Sequence, residues 1–77
     1  MSDMETKNLV QKFNQEFLEL INKSSEEVKN KYKNLIATNR NQFGECLIGF
    51  IEYSKYKKNI ITPEQYLRIM MFIKTNY

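Results

Sequence analysis

The sequence predicts an all-α protein, a compact bundle of three or four helices. Stretches with the residue pattern of a helix start recur along the chain, and each is followed by apolar residues at helical spacing. Residues that interrupt helices are scarce, with only two Gly and one Pro among 77 residues. This scarcity argues against a loop-rich or all-β fold.

Three helix starts are marked by a hydroxyl residue that is followed three positions later by an acid or an amide. The pairs are Ser2 and Glu5, Ser24 and Glu27, and Thr62 and Gln65. In such a capping box the two side chains satisfy backbone donors that the first turn leaves unpaired. Pro63 adds the residue favoured at the first helical position, and Ile61 is placed to form a hydrophobic staple.

Apolar periodicity then predicts four helices, at about 3–22, 25–38, 41–56 and 63–76. The third is apolar over more than half of its circumference, which is typical of a helix in the middle of a bundle. Helical phase continues across the polar residues 38–41, so residues 25–56 form either one helix or two. We expect a break near 39–41, because a helix of about 45 Å gains little in so small a protein.

A strand over residues 46–51 is the alternative for the most apolar run, given its Ile and Phe content. No other stretch offers it a convincing partner strand. The residues expected in the core are Phe13, Phe17, Leu47, Phe50, Met70 and Ile73. The apolar residues expected to remain outside it are Ile48, Tyr56, Met71 and Phe72.

Residues 1–77 are predicted to form a single helical domain without catalytic activity. The chain has no His and one Cys, so neither a zinc site nor a His-activated nucleophile is expected. Cys46 lies in an apolar run and is interpreted as a small buried hydrophobe. Gly44 and Gly49 do not form a phosphate-binding loop. We therefore expect no metal and no cofactor.

The cellular setting is predicted to be the cytoplasm, or the nucleus of a host cell, rather than the exterior. A single Cys fits a reducing compartment, and the acidic, polar N-terminus is unlike a secretory signal. The longest apolar run, 46–51, is far shorter than a membrane span. Because the sequence begins with Met1, we expect it to be a complete small gene product. The abundance of Lys, Asn and Ile, residues with A/T-rich codons, suggests a virus, a phage or another AT-rich genome.

The predicted function is that of a small protein-binding accessory or regulatory protein, of the inhibitor, adaptor or immunity type. The second half of the chain has more apolar side chains than one small core can hide, and surplus apolar surface marks contact sites. The C-terminal helix combines Arg68, Met71 and Phe72, residue types that are enriched at interfaces. These three are predicted to contact another protein or a second copy of the chain.

The alternative function is nucleic-acid binding through the lysine clusters at 29–33 and 55–58. Net charge is +3, and both clusters interleave bases with tyrosines, as single-strand binders do. The residues concerned are Lys29, Lys31, Lys33, Arg40, Lys55, Tyr56, Lys57 and Lys58. A solvated lysine face around core tyrosines explains the same pattern.

Overall fold

The structure, a computed structural model, describes residues 2–77, with side chains from Met4 onward. Its helices are α1 (Ser2–Asn22), α2 (Glu26–Thr38), α3 (Arg40–Ile51) and α4 (Pro63–Asn76), and a π-helical segment (Glu52–Tyr56) continues α3. About 85% of the chain is helical and the described part contains no strand, against about a third helix in ordinary domains. The all-α prediction is confirmed, and the strand alternative for 46–51 is wrong.

The turn between α1 and α2 uses its two serines differently from the prediction. The Ser25 hydroxyl accepts a hydrogen bond from the Val28 N–H at 3.3 Å, so Ser25 caps α2. The Ser24 hydroxyl instead donates to the Leu20 carbonyl at 3.0 Å. The predicted box of Ser24 with Glu27 therefore does not form, because Ser24 belongs to the end of α1. The capping box predicted for Ser2 and Glu5 requires the Ser2 side chain, which lies outside the described part of the structure.

Asn39 makes the break between α2 and α3, and the prediction of two helices is confirmed. Its backbone leaves the helical region (φ −152°, ψ 71°), while its N–H still donates to the Leu35 carbonyl at 2.7 Å. Its side-chain oxygen accepts from the Gln42 N–H at 3.2 Å and caps α3. One Asn thus ends one helix and starts the next, as expected of a residue that competes for backbone hydrogen bonds.

The third predicted helix extends over the expected residues, but its last turn is π-helical. The Lys57 N–H donates to the Glu52 carbonyl, five residues back, at 2.9 Å. The Ile60 N–H donates to the Lys55 carbonyl at 2.8 Å, and Asn59 has a left-handed φ of 60°. These two features form the ending that commonly stops helices, with Asn in the position where Gly is most frequent.

α4 begins as predicted. The Gln65 N–H donates to the Thr62 hydroxyl at 3.0 Å, and the Thr62 N–H donates to the Gln65 side-chain oxygen at 2.9 Å. This reciprocal pair is the predicted capping box. Ile61, the residue expected to staple the helix start, is buried. Among the described helices, none combines the length and the apolar character that crossing a membrane requires.

The core lies between α1, α3 and α4. Its buried apolar residues are Val10, Phe13, Phe17, Ile21, Phe43, Leu47, Ile48, Ile51, Ile61, Ile69 and Ile73. Of the expected core residues, Phe50 and Met70 are only partly buried and pack against this cluster. Ile48, expected outside, is buried, because α3 is covered on more than one side by the other helices.

The bundle is thin, with extents of 37 × 24 × 15 Å. The shortest extent corresponds to two layers of helices, because helix axes pack about 8–10 Å apart and the Cα atoms of each helix lie about 2.3 Å from its axis. α2 accordingly has no fully buried residue, and only one of its faces packs on the core. One side of the molecule is therefore left without a covering layer.

We predict that Leu47→Ala lowers the free energy of unfolding by about 3–5 kcal/mol, because Leu47 is fully buried and its removal leaves a cavity. Leu67→Ala is the matched control, since it makes the same chemical change at a side chain that is 52% exposed. Leu67→Ala should change the free energy of unfolding by less than about 0.5 kcal/mol. Denaturant unfolding followed by circular dichroism measures both, and equal losses would contradict the assigned core.

Candidate functional site

A shallow, widely open groove of about 590 Å³ runs along the uncovered side of the bundle, between α1, α2 and α3. Its lining residues are Phe17 and Leu20 of α1, Tyr32 of α2, and Cys46, Gly49, Phe50, Tyr53, Ser54 and Lys58 from α3 onward. The residues from α3 onward are spaced by one, three or four positions, so they follow one side of the helix as a floor. The two other helices form the walls.

The groove exposes apolar groups that a small protein normally buries. Leu20 on its wall is 54% exposed and Tyr53 on its floor is 67% exposed. Phe17, Tyr32 and Phe50 line the same space; Phe17 belongs to the core, and the other two pack against it. Exposed apolar groups that are grouped in one concavity indicate a binding surface, whereas scattered ones do not.

Gly49 leaves the helix backbone bare in the middle of the floor. Apart from its chain neighbours and the backbone of its own helix, a Cβ built on Gly49 would meet no atom within 4 Å, and its φ is not in the left-handed region. Neither packing nor backbone geometry therefore requires Gly here, although Gly in a helix interior is less stable than Ala by about 0.5–1 kcal/mol. A bare backbone allows the close approach of another molecule.

Gly44, one and a half turns earlier, is a matched contrast. A Cβ at this position would lie 2.9 Å from Cβ of Tyr77 and 3.1 Å from Cγ2 of Ile73. The Tyr77 ring stacks on Phe43, with centroids 6.2 Å apart. Gly44 is thus explained by the packing of α4 on α3, and Gly49 is not explained by any contact within the described structure.

We predict opposite effects of two chemically identical changes. Gly49→Ala should raise the free energy of unfolding by about 0.5–1 kcal/mol, because the helix gains propensity without a clash. Gly44→Ala should lower it by about 1–2 kcal/mol, since Tyr77 must move off Phe43. Thermal or urea unfolding of both variants measures these changes in the free energy of unfolding. A destabilised Gly49→Ala would show that the space above Gly49 is filled.

Polar groups within the groove are largely satisfied by the chain itself. The Ser54 hydroxyl donates to the Phe50 carbonyl at 2.5 Å. Burial, followed by the contact with Cys46, raises the pKa of the Tyr32 phenol above its usual value. Tyr32 thus remains neutral throughout the physiological range. The groove consequently offers a mostly apolar surface, whose other polar side chains are those of Tyr32, Tyr53 and Lys58.

The positive charges at the groove lie beside its aromatic rings. The Lys57 ammonium is 4.9 Å from the centroid of the Tyr53 ring, and the Lys31 ammonium is 5.9 Å from that of Tyr32. Both distances are within the range of cation–π attraction. Lys57 also lies 3.9 Å from the Glu52 carboxylate. Lys31 and Lys57 therefore lie at the rim, beside rings that line the groove, whereas Lys58 is itself a lining residue.

Several bases of the two predicted lysine clusters are engaged within the chain. Lys29 pairs with Glu26 at 2.8 Å. Lys55 pairs with Glu16 at 2.5 Å, over the Phe13 ring. The Arg40 guanidinium lies 5.1 Å from the Tyr77 ring centroid.

Lys31 and Lys57 are at the groove rim, and Lys58 lines it. Lys33 lines a separate, more polar notch of about 370 Å³ between α1 and α2, together with Lys29 and Tyr32. The two clusters thus contribute mainly to different surface features, which meet at Tyr32, the ring that Lys31 contacts.

Tyr56, assigned to the nucleic-acid alternative, is held against α4. Its ring stacks on Tyr66 with centroids 4.6 Å apart and planes inclined by 8°. The Tyr66 hydroxyl donates to the Glu52 carboxylate at 3.2 Å. Burial, and then the nearby Glu52 carboxylate, raise the pKa of the Tyr66 phenol. This cluster fixes the π-helical segment to α4 and occupies one face of the ring that stacking on a base would need.

The α4 contact surface has a different orientation from the one expected. Phe72 is half-buried and packs against the core, while Leu67 and Met71, expected to widen the docking stripe, face solvent. The reason is that α4 packs against α1, α3 and the π-helical segment, so its buried arc extends past Ile69 to Phe72. Arg68 is exposed and lies 3.8 Å from Glu64. The assignment of Arg68, Met71 and Phe72 to a partner contact remains a prediction.

Within residues 2–77, no three Cys, Asp or Glu side chains are grouped in a way that could hold a metal ion. The Cys46 thiol is free and half-buried.

The groove was not predicted from the sequence. Two features of the sequence could have indicated it: the third helix is apolar over more than half of its circumference, and Gly49 lies within it.

Comparison with known proteins yields no match to a family model, to a curated protein or to a solved structure.

Proposed function

We propose that this chain is a non-catalytic accessory or regulatory protein, and that its groove binds an α-helical segment of another protein. The observation that carries the proposal is the apolar surface of this shallow groove, which brings the exposed Leu20 and Tyr53 together with the bare backbone at Gly49. Binding requires no chemistry from the groove, whose one hydroxyl from Ser is committed to a backbone carbonyl.

The dimensions of the groove favour a helix as its occupant. From Cys46 to Ser54 the floor is about 12 Å long at the rise of an α-helix, enough for two turns of a partner. An amphipathic helix places apolar residues three or four positions apart on one face, and such faces fill grooves between helices. A bare Gly lets two helix axes approach closely. Large side chains on the occupant can pack against the exposed Leu20 and Tyr53.

The groove is a stronger candidate than the outer face of α4. Three helices shape it, and it combines aromatic, aliphatic and backbone surface in one concavity. The α4 face offers two exposed apolar side chains, Leu67 and Met71, on a single convex helix. Aromatic anchors in concave, desolvated sites dominate the energy of most interfaces, and α4 presents none of its aromatic residues fully.

Nucleic-acid binding is supported less well than protein binding. Lys29 and Lys55 already have carboxylate partners at short distance. Tyr56 is stacked on Tyr66. The groove is mostly apolar, whereas a strand of nucleic acid requires cations that follow its phosphates. A function as an inhibitor, adaptor or immunity protein from an AT-rich genome is consistent with a small binding module and remains part of the proposal.

The test uses three variants of the full chain in capture experiments from source cells treated with nuclease. Gly49→Leu fills the groove floor at a site where no atom lies within 4 Å, and Tyr53→Ala removes an exposed aromatic group. Met71→Asp is the matched control on α4. We expect Gly49→Leu and Tyr53→Ala to reduce capture of the partner at least tenfold while circular dichroism stays unchanged, and Met71→Asp to have no effect.

Three results would contradict the proposal. Loss of capture in Met71→Asp alone would place the contact on α4. A wild-type dimer that Gly49→Leu converts to a monomer in analytical ultracentrifugation would make a second copy the occupant. Binding of single-stranded nucleic acid that weakens steeply with salt, and that Gly49→Leu leaves intact, would favour the alternative function.

A further inference from the structure

We infer that Asn39 is a hinge, at which α2 and α3 join into one continuous helix and the two N-terminal helices pass to a second copy of the chain. In the closed monomer Asn39 is the single residue that separates the two helices. Its N–H donates to the Leu35 carbonyl, and its own carbonyl accepts from the Phe43 N–H at 3.2 Å. Both bonds join residues four apart, as in an α-helix. The helical pattern is therefore interrupted at three N–H groups only.

Straightening of the chain at Asn39 exchanges one kind of hydrogen bond for another. In the bent form the Gln42 N–H donates to the Asn39 side chain at 3.2 Å, and the N–H groups of the two intervening residues have no backbone acceptor within the described structure. In a continuous helix these three N–H groups donate to the carbonyls of residues 36–38, four positions earlier. Residues 36–42 include neither Gly nor Pro, so no residue of the junction breaks such a helix.

The apolar stripe of α2 keeps its helical phase through the junction. Leu35 on α2 is followed by Phe43, Cys46 and Phe50 on α3, at spacings that return to the same side of one helix. These side chains are buried or pack against the core in the closed monomer. A continuous helix over residues 26–56 is about 45 Å long, whereas the longest extent of the monomer is 37 Å. Its apolar seam is therefore longer than one copy can cover.

A second copy of the chain supplies the missing cover. Opening at Asn39 separates α1 and α2 from the rest and uncovers the side chains with which α1 packs on the other helices. Among them are Phe17, whose ring lies 5.0 Å from that of Phe50, and Glu16, which pairs with Lys55. The same contacts form again when α1 and α2 of a second opened copy take the vacated place, as in domain swapping. Outside the junction the exchanged dimer needs no new interface.

The Asn39 cap determines the balance between the two forms, because the closed monomer has this interaction and the continuous helix lacks it. The Asn39 amide also donates to the Gln42 side-chain oxygen at 3.2 Å. Each exchanged dimer contains two straightened junctions, so loss of the cap acts twice on the dimerisation equilibrium. Replacing a capping Asn by Ala typically shifts such an equilibrium about fivefold, which amounts to about twentyfold for two junctions.

The exchanged dimer retains the groove, with the α1 and α2 walls from one copy and the α3 floor from the other. Gly49→Leu, which fills the floor, should therefore leave the exchanged dimer intact. A dimer in which a second copy occupies the groove would be lost in this variant. The exchange and the proposed function consequently fail independently of each other.

The experiment unfolds isotopically labelled and unlabelled full chains together in urea and refolds them at millimolar concentration. Dimers are isolated by size-exclusion chromatography and treated with a carbodiimide, which joins a contacting ammonium and carboxylate directly as an amide. Trypsin releases Glu16 and Lys55 in different peptides, because it cleaves after Lys23 and Arg40 between them. Mass spectrometry should show that about half of the links between Glu16 and Lys55 join a labelled peptide to an unlabelled one, since random exchange makes half of the dimers mixed.

Variants at the junction test the role of the hinge. Asn39→Ala and Asn39→Gln both remove the cap and favour a continuous helix, and each should lower the Kd of the dimer about twentyfold in analytical ultracentrifugation. Circular dichroism identifies a variant that fails to fold, and the other then supplies the result. Asn41→Ala is the matched control, because it raises helix propensity two positions later without removing the cap. Its Kd should stay within about threefold of the wild-type value.

Three results would overturn the inference. Links that join only peptides of the same label would show that the dimer forms through an outer surface, without exchange of helices. A Kd that is unchanged in both Asn39 variants, or lowered equally by Asn41→Ala, would show that Asn39 is not the hinge. If the wild-type chain and the Asn39 variants all remain monomeric after refolding at millimolar concentration, neither the exchange nor the hinge exists.

Discussion

The aromatic contacts of Phe17 hold the three helices that shape the groove. Its ring lies 5.0 Å from Phe50 and 5.7 Å from Phe43 of α3, and 5.6 Å from Tyr32 of α2, measured between centroids. α2 has no fully buried residue, so its position depends on partly buried side chains such as Tyr32. Aromatic pairs of this geometry contribute about 0.5–1.5 kcal/mol each beyond the area they bury.

The same residue links stability to the proposed binding surface. Phe17 is buried among core residues and also forms part of the groove wall. In a bundle whose thinnest extent is 15 Å, a residue one layer deep is close to solvent on its other side. The groove is therefore a direct consequence of too few helices to cover the α1–α3 seam. Leu20 and Tyr53 are exposed along this seam because no further element packs there.

Several local features of the fold were predictable, whereas the tertiary features that shape the groove were not. The capping box at Thr62 and the break at Asn39 depend on hydrogen bonds between neighbours in sequence, and both occur as predicted. The burial of Ile48 and the orientation of Phe72 depend on which helices lie on either side, information that a helical wheel lacks. The groove belongs to this second kind, since Gly49 is recognisable as unusual only once the space above it is known.

The most direct measurement of the central claim uses Cys46, the one cysteine of the chain, which lines the groove. The rate at which a small thiol reagent modifies Cys46 is measured with the full chain alone and with the captured partner at saturation. Occupation of the groove predicts at least a tenfold slower reaction in the complex, with unchanged rates for Gly49→Leu, which cannot bind. An equal rate with and without a bound partner would show that binding takes place elsewhere.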